Sequence, residues 1–175
     1  MEIVVNDTNI LIDLYNAGLL QYCGQLGLDF RTLDVVMNEI VAEEQKRAVL
    51  ALVDKGFLKV HSLSGEQVAE VFGMVASYRG VCNLSSVDVS VLVYAKRCKC
   101  RLLTGDKTLR DNASTENVVV SGILYITDLM TSRNIISTTE MITALERLLR
   151  SNSRLPKRLI QERISELHQA ESILK

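Results

Sequence analysis

Short apolar runs alternate with segments of helical periodicity along the chain. The apolar runs predict strands at residues 2–6, 30–33, 57–63, 101–104 and 117–120. Apolar positions spaced three and four apart predict helices at residues 9–22, about 35–55, 65–78, 86–98, 122–132, about 138–150 and about 157–174. Strands that alternate with helices predict an α/β fold, in which a parallel sheet is covered by helices on both faces.

Four acidic residues stand where an apolar run ends or a helix begins. They are Asp7 in EIVVNDTN, Glu39 in VVMNEI, Asp88 in NLSSVDVSVL and Asp106 in RLLTGDKTLR. Ligands of parallel sheets bind at the carboxyl ends of the strands, and Asp7 and Asp106 both follow a predicted strand. Four carboxylates at one place would repel one another unless a cation lay between them. Because all these donors are oxygens, the pattern predicts a site for Mg²⁺ or Mn²⁺ rather than for zinc or copper.

The first two acids also have explanations that need no metal. Asp7 has the position of a helix N-cap, although capping accounts for only one residue of the polar triplet DTN. Glu39 has the position of a solvated helix acid, and Glu43 and Glu44 compete with it for a role in the site. The sequence leaves these explanations open beside the functional one.

The two later acids have similar alternatives. Ser85 and Asp88 have the spacing of a capping box, with aspartate in place of the usual Glu or Gln. Asp106 follows Gly105, which allows a sharp backbone turn, and an Asx-type turn would also explain an aspartate there. Asp111 lies a short distance further along and is expected to reach the metal as a second acid through water.

Polar residues next to the acids in the sequence are of the types that bind a phosphate group. Hydrogen bonds to a scissile phosphate or an ordered water are predicted for Thr8, Asn9, Ser85, Thr104 and Gly105. Between residues 96 and 112, six basic residues stand against two acidic ones, which is a local charge of +4 next to the predicted site. The run is either a patch that tracks a nucleic-acid backbone, with Lys107 positioning the substrate, or a solvated helix end.

Composition narrows the class of protein only slightly. The 175 residues suit one domain, and a hydrophobic fraction of 47% allows a substantial core. A net charge of −1 gives no global attraction to nucleic acid or membrane, and an aromatic content of 5% disfavours a stacking platform. The four cysteines form no C-x-x-C pair, and no apolar run approaches the ~20 residues of a membrane helix. We therefore expect a cytoplasmic protein with reduced thiols, no membrane partner, and ordinary surface acids at Asp13 and Asp128.

The order and spacing of these motifs resemble those of PIN-domain nucleases. The resemblance is carried by DTNILIDL from Asp7, then VVMNEI, LSSVDVSVLVYAK and LLTGDKTLR, and it spans residues 2 to about 130. It implies a three-layer α/β/α, Rossmann-like PIN fold with a central, mostly parallel sheet and a C-terminal helical extension. It also implies a Mg²⁺- or Mn²⁺-dependent endoribonuclease. The implied catalytic acids are Asp7, Glu39, Asp88 and Asp106, and the implied metal ligands are Asp7, Asp88, Asp106 and Asp111.

The resemblance further implies partners and a division of the chain. The motifs are similar to those of a prokaryotic branch with many toxins of type II toxin–antitoxin systems, which implies an RNA substrate, an antitoxin protein and a homodimer. Residues 1–135 are expected to form the nuclease domain, and residues 136–175 a C-terminal helical extension of the same domain. The extension is expected to dock an antitoxin, form a dimer or contact RNA. It carries the basic residues Arg147, Arg150, Arg154, Lys157, Arg158 and Arg163.

Two other functions are compatible with parts of the pattern. A catalytically silent PIN-like module that binds RNA or protein would keep the fold without cutting. Another Mg²⁺-dependent phosphate enzyme, such as a phosphatase, lacks support because the chain has no D-x-D motif after the first strand and no glycine-rich phosphate loop. The sequence therefore favours hydrolysis of RNA phosphodiester bonds at an acidic metal site.

Overall fold

A layer of parallel strands lies between helices in the computed structural model, which describes residues 1–151 and 155–173. The strands are β1 (Ile3–Asn6), β2 (Asp29–Leu33), β3 (Leu58–His61), β4 (Arg101–Leu103) and β5 (Val120–Ser121). The helices are α1 (Thr8–Ala17), α2 (Asp34–Glu39), α3 (Glu43–Asp54), α4 (Gly65–Tyr78), α5 (Ser86–Cys98), α6 (Lys107–Thr115), α7 (Ile123–Ser132), α8 (Thr138–Ser151) and α9 (Lys157–Ile173), with a 3₁₀ helix at Leu20–Gln25. The predicted α/β class with a parallel sheet is confirmed.

The sheet has the strand order β3-β2-β1-β4-β5, and each adjacent pair in it is parallel. β1 lies at the centre, where Val4 pairs with Phe30 of β2 on one side and with Arg101 of β4 on the other. The chain thus builds one half of the sheet outward from β1 and then returns to build the other half. The junction of β1 and β4 is therefore the topological switch point, where a crevice outside the carboxyl ends of the strands is the expected ligand site.

Helices cover both faces of the sheet and bury its apolar strands. α5 packs across β1, β2 and β4, while α1 packs against α3, α7 and α8. Val4, Val5, Leu102 and Leu103 are fully buried, which is typical of parallel strands covered on both sides. All four cysteines are free thiols. Within the described residues, none of the helices combines the length and the apolar composition that crossing a membrane would require.

The last two helices add to the same core. α8 packs against α1 with Met141, Leu145 and Leu148 buried at helical spacing, and α9 packs against α8. The boundary expected near residue 135 stays a prediction. Arg154, one of the basic residues of the expected extension, lies outside the described residues.

The two acids expected at the surface behave differently. Asp128 of α7 is exposed, and its Oδ1 pairs with Arg163 Nε of α9 at 2.9 Å. Asp13 is only 2% exposed, so the prediction was wrong for this residue. Asp13 lies three positions after Ile10 and four before Ala17, which are both buried, so it stands on the core-facing side of α1.

The first predicted helix, residues 9–22, ends earlier than expected. Gly18 takes the left-handed conformation with φ of +75°, and its N–H bonds to the carbonyls of Leu14 and Tyr15, which closes α1 at Ala17. The chain continues as the 3₁₀ helix rather than as the same α-helix. A glycine inside a helical pattern was therefore the real end of that helix.

The predicted helix at about 35–55 is two helices in the structure. Ile40 takes an extended conformation after α2, with φ of −80° and ψ of 94°. Ile40 is 1% exposed, so the break turns this side chain into the core. No proline or glycine marks the break in the sequence, which is why the periodicity ran through it.

The region before the last strand also differs from the prediction. α6 was missed because only Leu109 and Ala113 in it are buried, which leaves little apolar periodicity. Asn117, with φ of +58°, lies just after α6, and the N–H of Val118 returns to Ala113 O at 2.9 Å. The strand expected at 117–120 is consequently shifted and short, at Val120–Ser121.

Candidate active site

The carboxyl ends of β1 and β4 bring two predicted site residues side by side. The backbone N–H of Asp7 donates to Leu103 O at 3.0 Å, which extends the pairing of the two strands by one residue. The backbone N–H of Thr104 donates to Ser121 O, also at 3.0 Å. Asp7 and Thr104 therefore leave the sheet together at the switch point.

Asp7 is a buried acid held toward β4. Its Oδ2 accepts hydrogen bonds from Thr104 Oγ1 at 2.8 Å and from Asn9 Nδ2 at 3.3 Å. Although it precedes α1, its side chain makes no capping hydrogen bond to that helix within the described structure. Helix capping therefore does not explain why an aspartate, 2% exposed, stands at this position.

The buried position of Asp7 is electrostatically unfavourable for its charge. Burial raises the pKa of Asp7 from 3.8 to about 6, because a carboxylate is poorly solvated there. Three hydrogen bonds lower this pKa, namely those from the side chains of Thr104 and Asn9 and from the backbone of Thr8. The negative charge of Asp88 raises it. Asp88 is thus close enough to act on Asp7, and a cation between them would relieve both the burial and the repulsion.

Thr104 connects the first acid to the last one. Its fully buried hydroxyl donates to Asp7 Oδ2 and accepts the backbone N–H of Asp106 at 3.0 Å. Asp106 is the N-cap of α6, where its Oδ1 accepts the N–H of Leu109 at 2.8 Å. The side chain of Asp106 is therefore held by a capping bond through one oxygen, Oδ1, beside the hydroxyl that holds Asp7.

Asp88 has the capping-box role that its spacing from Ser85 suggests. Ser85 Oγ accepts the N–H of Asp88 at 3.0 Å, and Asp88 Oδ2 accepts the N–H of Ser85 at 2.8 Å. The box engages Oδ2 and holds the half-buried carboxylate at the N-terminus of α5. Because the same charge raises the pKa of Asp7, capping and a place beside the other acids are compatible for Asp88.

Glu39 reaches the edge of the site through Thr8. It is the exposed last residue of α2, and its Oε2 accepts a hydrogen bond from Thr8 Oγ1 at 2.5 Å. Thr8 is 7% exposed and follows Asp7 directly. The competing acids Glu43 and Glu44 are exposed in the first turn of α3. Among the three, Glu39 is therefore the one bonded to a neighbour of Asp7.

The basic run, for which the sequence left two explanations open, does not form one patch beside the acids. Lys96, Arg97 and Arg101 lie at or before the start of β4, whereas the acids lie past its end. Their charges are paired at 2.6–2.7 Å with acids of other segments, namely Glu116, Glu70 and Glu2. Lys107 and Arg110 of α6 are the members of the run on the side of the acids.

Two more predicted residues lie on α6. Asp111 is exposed and lies about 140° around the helix from position 106, given 3.6 residues per turn. In the described part of the chain, no hydrogen bond or ion pair connects Asp111 to the other acids. Lys107 is exposed at the start of the helix, directly after Asp106. Their roles stay predictions.

Two polar residues that the sequence analysis did not single out also shape this end of the sheet. Arg110 Nη2 donates to Thr104 O at 2.9 Å. Asn6, the fully buried last residue of β1, donates Nδ2 to Arg31 O at 3.0 Å, while its Oδ1 has no hydrogen-bond partner among the described residues. The available signals were an asparagine that ends an apolar run and an arginine four positions after Asp106.

The acids fit a hard cation in the kind of ligand they offer. Asp7, Asp88 and Asp106 supply carboxylate oxygens, which Mg²⁺ and Mn²⁺ prefer. The capping bonds described above engage only one oxygen each of Asp88 and Asp106. Over residues 1–151 and 155–173, however, no three His, Cys, Asp or Glu side chains are grouped closely enough to hold a metal ion. The carboxylates thus lie at the same end of the sheet, and each has hydrogen-bond partners of its own there.

Comparison with protein families gives a match over nearly the whole chain. A family model described as a PIN domain (DUF3368) matches residues 3–169. A comparison with curated proteins finds no match.

Three of the solved structures that match this chain are the following. VapBC2 from Rickettsia felis, bound to a DNA fragment from the promoter, is 13% identical with a TM-score of 0.49, over 69% of this chain and 98% of that chain. FitAcB from Neisseria gonorrhoeae is 14% identical with a TM-score of 0.46, over 67% of this chain and 95% of that chain. A PilT N-terminus domain protein from Sulfolobus solfataricus P2 is 13% identical with a TM-score of 0.39, over 74% of this chain and 92% of that chain.

Proposed function

The chain belongs to the PIN-domain family, whose members are generally nucleases, and on that premise we propose that it is a Mg²⁺- or Mn²⁺-dependent endoribonuclease. The observation that carries the proposal is the carboxylate of Asp7, which is 2% exposed and has a pKa raised to about 6. An acid kept in this environment beside the charge of Asp88, at the switch point of a parallel sheet, is typical of a functional site.

We assign the acids to separate tasks at this site. Asp7, Asp88 and Asp106 are the proposed ligands of the cation, and Glu39 either completes the ligand set or orients the attacking water. When bound, the cation would neutralise charge on the phosphate and lower the pKa of a water molecule. Thr104 positions two of the ligands, since its hydroxyl bonds both to Asp7 Oδ2 and to the N–H of Asp106.

The surrounding polar residues divide into supports and substrate contacts. Thr8 and Thr104 are buried with their hydroxyls engaged, so we assign them to holding the acids. Ser85 is exposed, but its hydroxyl is engaged with Asp88, so we assign it to holding that acid. Asn9 and Lys107 are more accessible than the two threonines, and we assign them to the scissile phosphate, where Lys107 supplies positive charge. RNA as the substrate, an antitoxin protein and a homodimer belong to the proposal through the resemblance of the sequence motifs.

Cleavage of a mixed RNA panel tests the proposal. Purified protein is incubated with EDTA, Mg²⁺ or Mn²⁺, and Asp7→Asn and Asp106→Asn are compared with the wild type. Asp54→Asn is the matched control, because Asp54 is an exposed carboxylate at the end of α3. Cutting that needs the metal, survives Asp54→Asn and is lost in the two site variants supports the nuclease. Cutting that survives both site variants contradicts the assignment of the site.

A catalytically silent binding module with the same fold is the second candidate. It is favoured by the arrangement of the carboxylates, which in the described residues are not grouped as a metal site. Wild-type protein that neither cuts RNA nor binds Mn²⁺ in calorimetry, but still binds RNA or a protein, would support this candidate instead.

The proposed homodimer has a separate test. Light scattering after size exclusion should give about twice the chain mass of 19.5 kDa. A mass equal to one chain across the working concentrations would remove the homodimer from the proposal and leave the nuclease untouched.

A further inference from the structure

A cavity of about 360 Å³ lies directly beside the acidic site, between the loops that follow β4 and β5 and the start of α9. Its charged lining residues are both basic, Lys107 and Arg110, and they stand on one side. The apolar side is formed by Leu124 of α7 together with Leu155, Pro156 and Leu159 from the C-terminal region. The cavity therefore combines a cationic wall with an aliphatic wall.

Arg110 connects this cavity to the acids through two hydrogen bonds. Its Nη2 donates to Thr104 O at 2.9 Å, and the hydroxyl of Thr104 donates to Asp7 Oδ2 at 2.8 Å. Gly122 lines the cavity beside Arg110, and a Cβ at Gly122 would come within 3.1 Å of Arg110 Nη2. The missing side chain at this glycine thus leaves room for the arginine in its position against the site.

The charge of the cavity distinguishes it from the rest of the basic run. Lys96, Arg97 and Arg101 are paired with acids at the other end of β4, as described above. In contrast, no ion pair involves Lys107 or Arg110 in the described residues. The hydrogen bond to Thr104 uses one of the five guanidinium N–H groups of Arg110. These two cations are therefore available to an anionic ligand.

We propose that this cavity binds the nucleotide of the RNA that neighbours the scissile phosphate, with its phosphate at Lys107 and Arg110 and its base against Leu124 and Leu159. The inference rests on the proposed ribonuclease function and adds a substrate subsite to it. A volume of about 360 Å³ is at the lower end of the ~300–1,000 Å³ range of small-molecule sites, which suits one nucleotide. Unstacked bases bind between apolar or aromatic side chains, and this cavity offers aliphatic ones.

The subsite gives the C-terminal helices a role in choosing the cleavage position. Leu155, Pro156 and Leu159 form a wall that lies outside residues 1–135, the range expected for the nuclease domain. Phosphate contacts carry no sequence information, whereas a wall against the base can distinguish bases by size and shape. The acids would therefore cut, and the cavity would select the neighbouring nucleotide.

Leu159→Glu tests the subsite with a well-matched control. Leu159 of α9 is 42% exposed, so a glutamate there is tolerated by the fold, and it places a negative charge opposite the nucleotide. Leu50→Glu on α3 is the control, because Leu50 is also 42% exposed. The two variants carry the same chemical change at the same exposure, on two different helices.

The first readout is the nucleotide preference of cleavage. A randomised single-stranded RNA is cut in Mn²⁺, and the ends are sequenced. We expect the wild type and Leu50→Glu to prefer particular bases at one position next to the cut. In Leu159→Glu, the ratio of cleavage at the preferred bases to cleavage at the others should fall at least about fivefold. A wild type without any preference there, or a preference unchanged in Leu159→Glu, overturns the subsite.

The second readout is binding without cleavage, which separates the subsite from the catalytic proposal. A fluorescein-labelled RNA hexamer of mixed sequence is titrated into Asp7→Asn with and without Leu159→Glu. We expect the added substitution to raise Kd at least about fivefold. If the wild type does not cut but this change is seen, the ribonuclease proposal is refuted and the cavity is an RNA-binding site only. If RNA is cut but the added substitution leaves Kd unchanged, the subsite is refuted and the ribonuclease proposal is not affected. The subsite is also overturned if the RNA does not bind at all, or if Leu159→Glu weakens the binding of a protein partner and not that of RNA.

Discussion

Asp7→Asn should stabilise the protein in the absence of divalent metal. Asp7 is 2% exposed, and burial raises its pKa from 3.8 to about 6. Since the folded-state pKa lies above the unfolded value, the folded protein holds the proton more tightly than the unfolded chain does. The contribution of Asp7 to stability is therefore complete below pH 3.8 and is lost as the pH rises through 6. An asparagine has the same shape and carries no charge to desolvate.

The size of the effect follows from the difference between the two pKa values. A difference of about two pKa units corresponds to about 3 kcal/mol of free energy of unfolding above pH 6. The amide oxygen can keep the bonds from Thr104 and Asn9, which both reach Oδ2, but the amide has one acceptor oxygen where the carboxylate has two, and we allow about 1 kcal/mol for this loss. The net gain of Asp7→Asn at pH 8 is then about 2 kcal/mol, or about 4–8 °C in Tm for a chain of this length.

Urea and thermal unfolding in EDTA between pH 4 and pH 8 measure this difference. We expect the advantage of Asp7→Asn over the wild type to be greatest at pH 8, to shrink below pH 6 and to vanish near pH 4. Asp54→Asn, which removes an exposed carboxylate, should show no comparable trend. A variant that is less stable than the wild type at pH 8, or a difference that does not depend on pH, would refute the reasoning that the buried charge is unfavourable.

Other predictions follow from the contacts of the site. Mn²⁺ should raise the Tm of the wild type but not that of Asp7→Asn, as measured by thermal shift, because only the charged site binds the cation. Thr104→Val should lower the free energy of unfolding by about 1–3 kcal/mol in urea, since Asp7 Oδ2 and the N–H of Asp106 both lose their partner. Ser85→Ala should cost about 1 kcal/mol through the lost cap of α5. Arg163→Ala should change stability by less than about 1 kcal/mol, because its ion pair is exposed.

The positions of the acids could be predicted because they depend on local features of the chain. An apolar run followed by Asp7, and another followed by Gly105-Asp106, mark strand ends without knowledge of the fold. Parallel pairing of β1 and β4 then brings the two ends together. The capping box of Ser85 and Asp88 also follows from spacing alone, and the structure contains the box where the sequence suggested it.

Two features that the sequence misplaced or left open depend on packing within the fold, whereas a third could have been predicted from spacing. The charge of the basic run was counted along the sequence, but β4 carries Arg101 to the opposite end of the sheet, where it pairs with Glu2. The break at Ile40 results from burial of that side chain and has no glycine or proline to announce it. Asp13 was judged by its charge, although its spacing from Ile10 already placed it on the buried side of α1.

The cavity that we propose as a nucleotide subsite could not have been found in the sequence. Its basic wall comes from α6 and its apolar wall from α7 and the region that begins at Leu155. Nothing in the spacing of these segments indicates that they meet beside Asp106. Only the packing of the C-terminal helices onto the core creates the cavity, which is why the role of the extension was left open between RNA, antitoxin and dimer contacts.

Calorimetric titration of Mn²⁺ into metal-free protein measures whether Asp7, Asp88 and Asp106 share one divalent cation. We expect the wild type and Asp54→Asn to bind Mn²⁺ alike. Asp7→Asn, Asp88→Asn and Asp106→Asn should each weaken binding at least about tenfold while keeping the circular dichroism of the wild type. Wild-type protein that does not bind Mn²⁺, or an affinity unchanged by all three substitutions, would contradict the shared cation site.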